Sequence, residues 1–269
     1  KTDRVRQFFN DSQLVHHLNN RSGRVTNEGP ATEESGPLVV STVQPLPLMV
    51  VHQMGLPVGE FVPEKFVAEL MNDRELGRIF LMGTETDEGH RLYQHTAMVL
   101  RQFERYFAAS PRFQAALTKA GVDLGFFRLF MALHDIGKPE ARAGRVGENE
   151  FDHTSRLIRR YFERHGLSSK QLDLALSLAG GDPIGQYLRA NPPTSTEFLS
   201  ARDPLFIALA QGTEPSPLAY KAAAEISANA RRLELDVETY WELLTAYYQS
   251  DAGAYTTDAY YAENGRLNY

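Results

Sequence analysis

From Pro63 onward, apolar residues recur at the spacing of an α-helix, in segments that are separated by glycine and proline. This periodicity constrains the fold most strongly, because a half-buried strand needs apolar residues at alternate positions instead. Glycines, in two places followed closely by a proline, mark the expected helix ends. Helices are therefore predicted at 63–80, 86–109, 111–120, 124–136, 152–165, 168–179, 183–190, 202–211, 216–232 and 236–250.

The first 60 residues do not follow this helical pattern. Residues 19–37 are polar and rich in glycine, serine, asparagine and glutamate, which is typical of a loop or linker. Residues 38–58 contain two β-branched stretches split by prolines, and they predict short strands or an extended arm on the main body. We therefore divide the chain into an N-terminal extension at 1–60, partly loop or short strands, and one all-α helical domain at 61–269.

Composition excludes several classes of protein. The net charge of −6 over 269 residues argues against a general nucleic-acid binder, so long nucleic acid is not expected as a partner. The chain has no cysteine and therefore no disulfide or thiolate metal site. No apolar run approaches the roughly 20 residues of a membrane span, and no membrane partner is expected. The chain begins at Lys1, so we expect a trimmed piece of a longer protein. The absence of cysteine suits a reducing compartment, and we expect a cytoplasmic location.

Three predicted helices carry a metal-capable side chain within their apolar stripe. His95 and His134 keep the helical register of their apolar neighbours, and Asp251 extends the stripe of the last long helix by one turn. A buried carboxylate or imidazole needs a partner, and each of these residues taken singly is also consistent with a hydrogen-bonded core position. A divalent cation would satisfy all three at once, because histidine and aspartate bind zinc, iron, manganese and nickel well.

These residues and their surroundings resemble the HD-domain superfamily of metal-dependent phosphohydrolases. The family signature H…HD…D matches His95, His134-Asp135 and Asp251. The segments YQHTAMVL (93–100), ALHDIGKPEA (132–141) and AYYQSDAGAY (246–255) are also similar in wording, and the resemblance covers about residues 85–255. It implies an all-α HD-domain helical bundle with a central metal site, in which the four signature residues are the metal ligands.

The resemblance leaves the number of metal ions open. His153 matches a second-metal ligand that only binuclear members have. Those members supply another histidine one helix later, where this chain has 180–182 (GGD). Asp182 is therefore a substitute ligand, a substrate contact, or the residue that caps the helix beginning at Pro183. We expect one or two divalent ions per chain, with Mn, Mg, Zn, Ni, Co and Fe as candidates.

The resemblance also implies hydrolysis of a phosphomonoester or phosphodiester, in a nucleotide or another small phosphorylated metabolite. Asp135 is expected to bridge two ions, if two are present, and to accept the proton of the attacking water. Lys138 either neutralises phosphate charge during the reaction or is a cation at a helix C-terminus that the helix dipole favours.

Four further residues are candidates for contact with the substrate. Arg142 and Arg145 follow in a glycine-rich loop, where they either clamp a phosphate or are solvated. His90 and Arg91 lie about one turn before His95, near the expected mouth of the pocket. His90 would contact the substrate or protonate the leaving group.

Two other functions remain as alternatives. Some relatives with this scaffold hold two irons and activate dioxygen, and His153 permits such a site, although the missing later histidine counts against it. A non-catalytic module that senses a ligand is the second alternative, and the intact set of ligands counts against it.

Overall fold

A computed structural model describes residues 43–83, 91–143, 149–185 and 217–254. Within these ranges the secondary structure is helical, apart from an isolated antiparallel bridge between Gly83 and Arg91, and the all-α prediction is confirmed there. The helices are α1 (Leu48–Met54), α2 (Pro63–Leu70), α3 (Arg74–Phe80), α4 (Leu92–Tyr106), α5 (Pro111–Ala120), α6 (Leu124–Leu133), α7 (Lys138–Ala143), α8 (Glu150–His165), α9 (Ser169–Ala179), α10 (Pro217–Arg232) and α11 (Val237–Gly253). None of these helices is both long and apolar enough to cross a membrane.

Helix α6 lies in the middle of the bundle, and every residue from Gly125 to Leu133 is buried. It packs against α1 and α4, and α4 also packs against α2, α3 and α11. Helix α11 completes the bundle by contacting α5, α9 and α10. A helix that is apolar on all sides has to be covered on all sides, which explains why the most hydrophobic segment of the chain is central.

Aromatic rings from four helices fill the space around α6. Phe127 meets Phe103 at 5.2 Å and Phe113 at 4.9 Å between ring centroids, the latter edge to face. Phe130 contacts Tyr247 of α11 in the same geometry at 5.2 Å. Burying one such phenylalanine stabilises the fold by about 1.5–3 kcal/mol, so this cluster fixes α4, α5, α6 and α11 against one another.

A fully buried arginine ties the segment after α1 to α6. The guanidinium of Arg128 donates to both carboxylate oxygens of Glu104, at 2.7 and 2.8 Å. It also donates to the backbone carbonyls of Met54 and Leu56, at 2.8 and 2.5 Å, and lies 4.1 Å from the ring centroid of Phe61. Burying this charge is tolerated because the bidentate carboxylate and the two carbonyls replace its water.

The structure corrects two predicted elements near the N-terminus. The helix expected at 63–80 is two helices, because the side chain of Asp73 accepts the backbone N–H groups of Glu75 and Leu76 and begins a new helix. Residues 48–54 form a helix, where short strands or an extended arm were expected, and that helix packs on α2 and α6. The division of the chain at residue 60 stays a prediction.

Three other corrections concern the neighbourhood of the HD dipeptide. Helix α4 begins only at Leu92, because the backbone of Arg91 is extended. Helix α6 ends at Leu133 rather than at 136, with His134 as its C-cap. The chain then re-enters a short helix, α7, and Pro139 is tolerated in its first turn because no N–H is needed there. Predicted helix 202–211 and residues 186–190 lie outside the described residues.

The turn between α6 and α7 touches the backbone of α8 directly. A Cβ atom at Gly137 would lie 2.1 Å from the backbone nitrogen of Thr154, so no other residue fits without displacement. The N–H of Gly137 donates to Oγ1 of Thr154 at 3.1 Å. This contact holds the first turns of α8 beside the residues that follow His134.

Candidate metal centre

Three helices bring the four signature residues to one point. His95 comes from the first turn of α4, His134 and Asp135 follow the last turn of α6, and Asp251 comes from the last turn of α11. One ligand-type atom from each of the four lies within 4.8 Å of the others. Both imidazoles are buried, so the helical register that predicted their inward direction is confirmed.

The carboxylates and imidazoles face one another at short range. Oδ1 of Asp251 lies 3.1 Å from Nε2 of His95 and 3.1 Å from Nε2 of His134. Oδ2 of Asp135 lies 3.3 Å from Nε2 of His95 and 3.7 Å from Nε2 of His134. Two ring nitrogens and two carboxylate oxygens thus surround the same small volume.

The other face of His134 is fixed by its own helix. Its Nδ1 donates to the backbone carbonyl of Met131 at 2.7 Å, and its ring meets Tyr247 edge to face at 5.4 Å. The proton of a neutral His134 ring is thereby placed on Nδ1, which leaves the lone pair of Nε2 directed at the carboxylates. This is the arrangement in which histidine ligates a metal.

The charges of the four residues reinforce one another. Burial by itself would lower the pKa of His95, but hydrogen bonds and charges from Asp135 and Asp251 raise that pKa to about 9. The same carboxylates raise the pKa of His134 against the effect of its burial. Burial also opposes ionisation of Asp135 and Asp251, yet the imidazoles hold both carboxyl pKa values below their usual range. The site therefore favours ionised carboxylates, which are good ligands for a cation.

A cavity of about 300 Å³ lies over this cluster, with His134, Asp135 and Asp251 in its wall. Its remaining wall comes from α7, from the first turns of α8, from the end of α9 and from α11; the residues are Lys138, Asn149, Glu150, Phe151, Thr154, Ala179, Gly181 and Tyr247. The volume is at the lower end of the range for small-molecule pockets. His95 does not line the cavity, so a ligand there would meet the cluster at His134, Asp135 and Asp251.

Lys138 is buried, lines the cavity and begins helix α7, so it is not the cation at a helix C-terminus that one interpretation expected. Its Nζ lies 3.4 Å from Oδ2 of Asp135, and the residue begins α7 rather than ending α6. A positive charge therefore stands beside the cluster in the space that a ligand would enter.

Among the described residues, His153 does not belong to the cluster of His95, His134, Asp135 and Asp251. The ring is buried, and its Nδ1 accepts a hydrogen bond from the guanidinium of Arg156 at 2.8 Å. Glu140 of α7 lies 3.9 Å from the same ring nitrogen. The Nδ1 lone pair is therefore engaged by an arginine.

Of the other predicted site residues, Asp182 accepts the backbone N–H of Gly185 at 2.9 Å, as the capping interpretation requires. Arg91 is exposed, and its backbone N–H donates to Gln94 at 2.8 Å. Arg142 is exposed and belongs to helix α7 rather than to a glycine-rich loop. Neither arginine lines the cavity.

His90 and Arg145 lie outside the described residues, and their proposed roles stay predictions.

Glu150 lines the cavity as the first residue of α8, and it was not among the predicted site residues. Burial and the charge of Asp135 raise the pKa of its carboxyl, against the opposing effects of Lys138, Arg142 and His134. The residue follows Asn149, whose side chain caps α8 by accepting the N–H of Phe151 at 3.0 Å. An acidic residue in a first helical turn is common, so no pattern in the sequence distinguished it.

Comparison with protein families, with curated proteins and with solved structures finds no match to this chain.

Proposed function

We propose that this chain is a metal-dependent phosphohydrolase of the HD type, which cleaves an ester of a nucleotide or another small phosphorylated metabolite. The observation that carries the proposal is the convergence of His95, His134, Asp135 and Asp251 beneath a cavity that also contains Lys138. Ligands for a cation and a positive side chain for a phosphate are thereby adjacent.

The donor set fits a divalent transition metal. Ligands about 2.0–2.2 Å from an ion lie about 3 Å from one another, and the four shortest distances between imidazole nitrogens and carboxylate oxygens are 3.1 to 3.7 Å. The mixture of two imidazoles and two carboxylates suits zinc, manganese, iron, cobalt and nickel better than magnesium or calcium, which prefer oxygen. When bound there, the ion would lower the pKa of a coordinated water and polarise a phosphoryl oxygen.

The residues of the chain would divide the remaining work. Asp135 is ionised and accepts the proton of the attacking water. Lys138 stands in the cavity beside Asp135 and neutralises negative charge on the phosphate. Tyr247 and Phe151 supply apolar surface in the same cavity for the rest of the substrate.

We further propose a single ion per chain. The second ion of binuclear relatives would need His153, whose Nδ1 accepts a hydrogen bond from Arg156. A neutral ring with Nδ1 as acceptor carries its proton on Nε2, so neither nitrogen offers a free lone pair. This arrangement favours hydrolysis over the di-iron oxygenase alternative.

The test is metal content and phosphate release, measured on the full chain and on Asp135→Ala. We expect about one ion per wild-type chain after loading with manganese, and loss of both the ion and at least about 100-fold of the activity in the variant. The matched control is Asp173→Asn, which alters an exposed aspartate of α9 and should change neither.

Phosphate release that survives in Asp135→Ala would overturn the proposal. Two irons with oxygen uptake would support the oxygenase instead. Tight nucleotide binding without turnover of any phosphomonoester or phosphodiester would support the sensing module.

A further inference from the structure

Glu150 is a carboxyl in the cavity that the proposed metal set does not use. Its side chain is half-buried and makes no hydrogen bond or ion pair with another residue in the part of the chain that the structure describes. By contrast, Asp135 and Asp251 each contact two imidazoles. A half-buried carboxyl loses part of its solvation, and this one gains no hydrogen bond or salt bridge from the described residues in return, which calls for a functional explanation.

The surroundings of Glu150 raise the pKa of its carboxyl above the value in water, although nearby positive charges limit the effect. Burial is the largest effect and raises its pKa, and the negative charge of Asp135 acts in the same direction. Lys138, Arg142 and His134 act in the opposite direction. The outcome is a carboxyl with a raised pKa in the wall of the cavity that lies over the cluster.

Glu150 lines the same cavity as Asp135, so a carboxyl that is not needed as a ligand faces the space where a substrate would bind. A sphere with the volume of this cavity is roughly 8 Å across, so a phosphate ester held at the cluster would place its leaving oxygen within reach of the wall. Thr154 and Gly137 hold the first turns of α8, and therefore Glu150, beside the cluster. The backbone position of Glu150 is thus set by the contact between α8 and the turn after α6.

We propose that Glu150 is the general acid that protonates the leaving oxygen of the phosphate ester, an inference that rests on the proposed phosphohydrolase function. The oxygen of water forms a bond to phosphorus, and the bond between phosphorus and the leaving oxygen breaks with its electron pair on that oxygen. The proton of Glu150 passes to the leaving oxygen and releases a neutral alcohol, while the proton of the attacking water passes to Asp135. Asp135 then releases its proton to solvent, solvent reprotonates Glu150, and nothing is oxidised or reduced.

The test compares the manganese-loaded full chain with Glu150→Gln on two aryl phosphates, p-nitrophenyl phosphate and phenyl phosphate. The p-nitrophenolate ion leaves readily without a proton, whereas the more basic phenolate needs one. We expect kcat for phenyl phosphate to fall by about 100-fold or more in the variant, and kcat for p-nitrophenyl phosphate to stay within about threefold. Manganese content should be unchanged, which separates an acid from a metal ligand.

Two variants complete the design. Asp152→Asn removes an exposed carboxylate from the same first turn of α8, and it should leave both rates as they are. Glu150→Asp keeps an acid with a shorter reach and should recover part of the phenyl phosphate rate. Helix content by circular dichroism confirms that each variant is folded.

An equal fall for both substrates in Glu150→Gln would overturn the assignment, and so would no fall for either. If the wild type cleaves neither substrate while holding its manganese, nor any other phosphomonoester or phosphodiester, the proposed function fails and this inference fails with it. The two failures are therefore distinguishable by the wild-type rate.

Discussion

At the scale of the residue, the molecule buries charge in two different ways. Arg128 is fully buried and satisfied by Glu104 and by two backbone carbonyls, with a ring face beside it. The candidate metal centre instead collects two imidazoles and two carboxylates whose ligand atoms point at a shared volume. The arginine site is complete within the chain, whereas the cluster of histidines and aspartates could hold a cation.

Replacing Arg128 by methionine is expected to lower the free energy of unfolding by about 3–5 kcal/mol, because Glu104 and two carbonyls lose their buried partner. Urea denaturation measures the change. The matched control is Arg101→Met, which removes an exposed ion pair with Glu64 and should cost no more than about 1 kcal/mol. Adding Glu104→Gln to Arg128→Met should recover part of the loss, and a double variant that loses the sum would contradict the argument.

The sequence predicted the inward side chains of single helices better than the contacts between helices. The helical period alone predicts the inward direction of His95, His134 and Asp251, because a residue in register with apolar neighbours faces the same way. The period does not predict the place of Glu150 in the cavity wall, since that depends on how the start of α8 packs beside the turn after α6. The hydrogen bond from Arg156 to His153 also escaped notice, although the spacing of three residues made it accessible.

At the scale of the element, α11 depends on a cap at the end opposite to its metal-capable residue. Oδ1 of Asp236 accepts the N–H of Thr239 at 2.7 Å, and Oδ2 accepts its hydroxyl at 2.8 Å. Burial is the largest single effect and opposes ionisation of this carboxyl, but the Thr239 hydrogen bonds and the charge of Lys119 together hold its pKa below the usual range. The ionised cap is therefore part of what stabilises the helix.

Asp236→Ala is expected to lower the free energy of unfolding by about 1 kcal/mol at neutral pH. Because the pKa of Asp236 is lower in the folded protein, the contribution is present above the unfolded pKa of 3.8 and is lost as pH falls below it. Denaturation at pH 7 and pH 3 measures both values, and the difference between wild type and variant should shrink at pH 3. Glu238→Ala, at an exposed position of the same turn, is the control, and an equal pH effect there would contradict the assignment.

Gly137→Ala is expected to destabilise the fold by about 1–3 kcal/mol, because its Cβ would lie 2.1 Å from the backbone of Thr154 and α8 has to move. The same movement displaces Glu150 from the cluster, so phosphate release should fall as well. Thermal unfolding and activity measure the two effects. Gly55→Ala is the control, since a Cβ there would make an ordinary contact at 3.5 Å, and an equal loss would contradict the close-approach argument.

Errors in the predicted elements have local physical causes. The break inside the helix expected at 63–80 comes from the capping hydrogen bonds of Asp73, a signal that the apolar period masked. Gly137 and Pro139 predict the end of a helix, yet proline is acceptable in a first turn, and α7 follows immediately. The sequence thus located the helices but not the short connections that determine the shape of the cavity.

At the scale of the whole molecule, the candidate metal centre joins segments that are distant in the chain. The residue pairs His95–Asp251 and His134–Asp251 are separated by 156 and 117 positions. An ion bound to these residues would hold α4, α6 and α11 together, and any ligand that binds only the folded state stabilises it.

Manganese is expected to raise the melting temperature of the full chain. An ion concentration about 100 times Kd adds about 2.7 kcal/mol, which corresponds to roughly 5–10 °C for a chain of this size. Differential scanning fluorimetry with and without manganese measures the shift. Asp135→Ala should show little of it, and equal shifts in both proteins would place the ion elsewhere.

The distance of Asp251 from the other ligands along the chain also has a consequence for synthesis. A nascent chain that has emerged only as far as α9 already contains His95, His134 and Asp135, but it lacks the carboxylate oxygen that both imidazoles share. Loop closure over so many residues is slow compared with local helix formation. The complete ligand set therefore arises only after α11 has docked, so a cation that needs all four ligands would bind at the end of folding and would not start it.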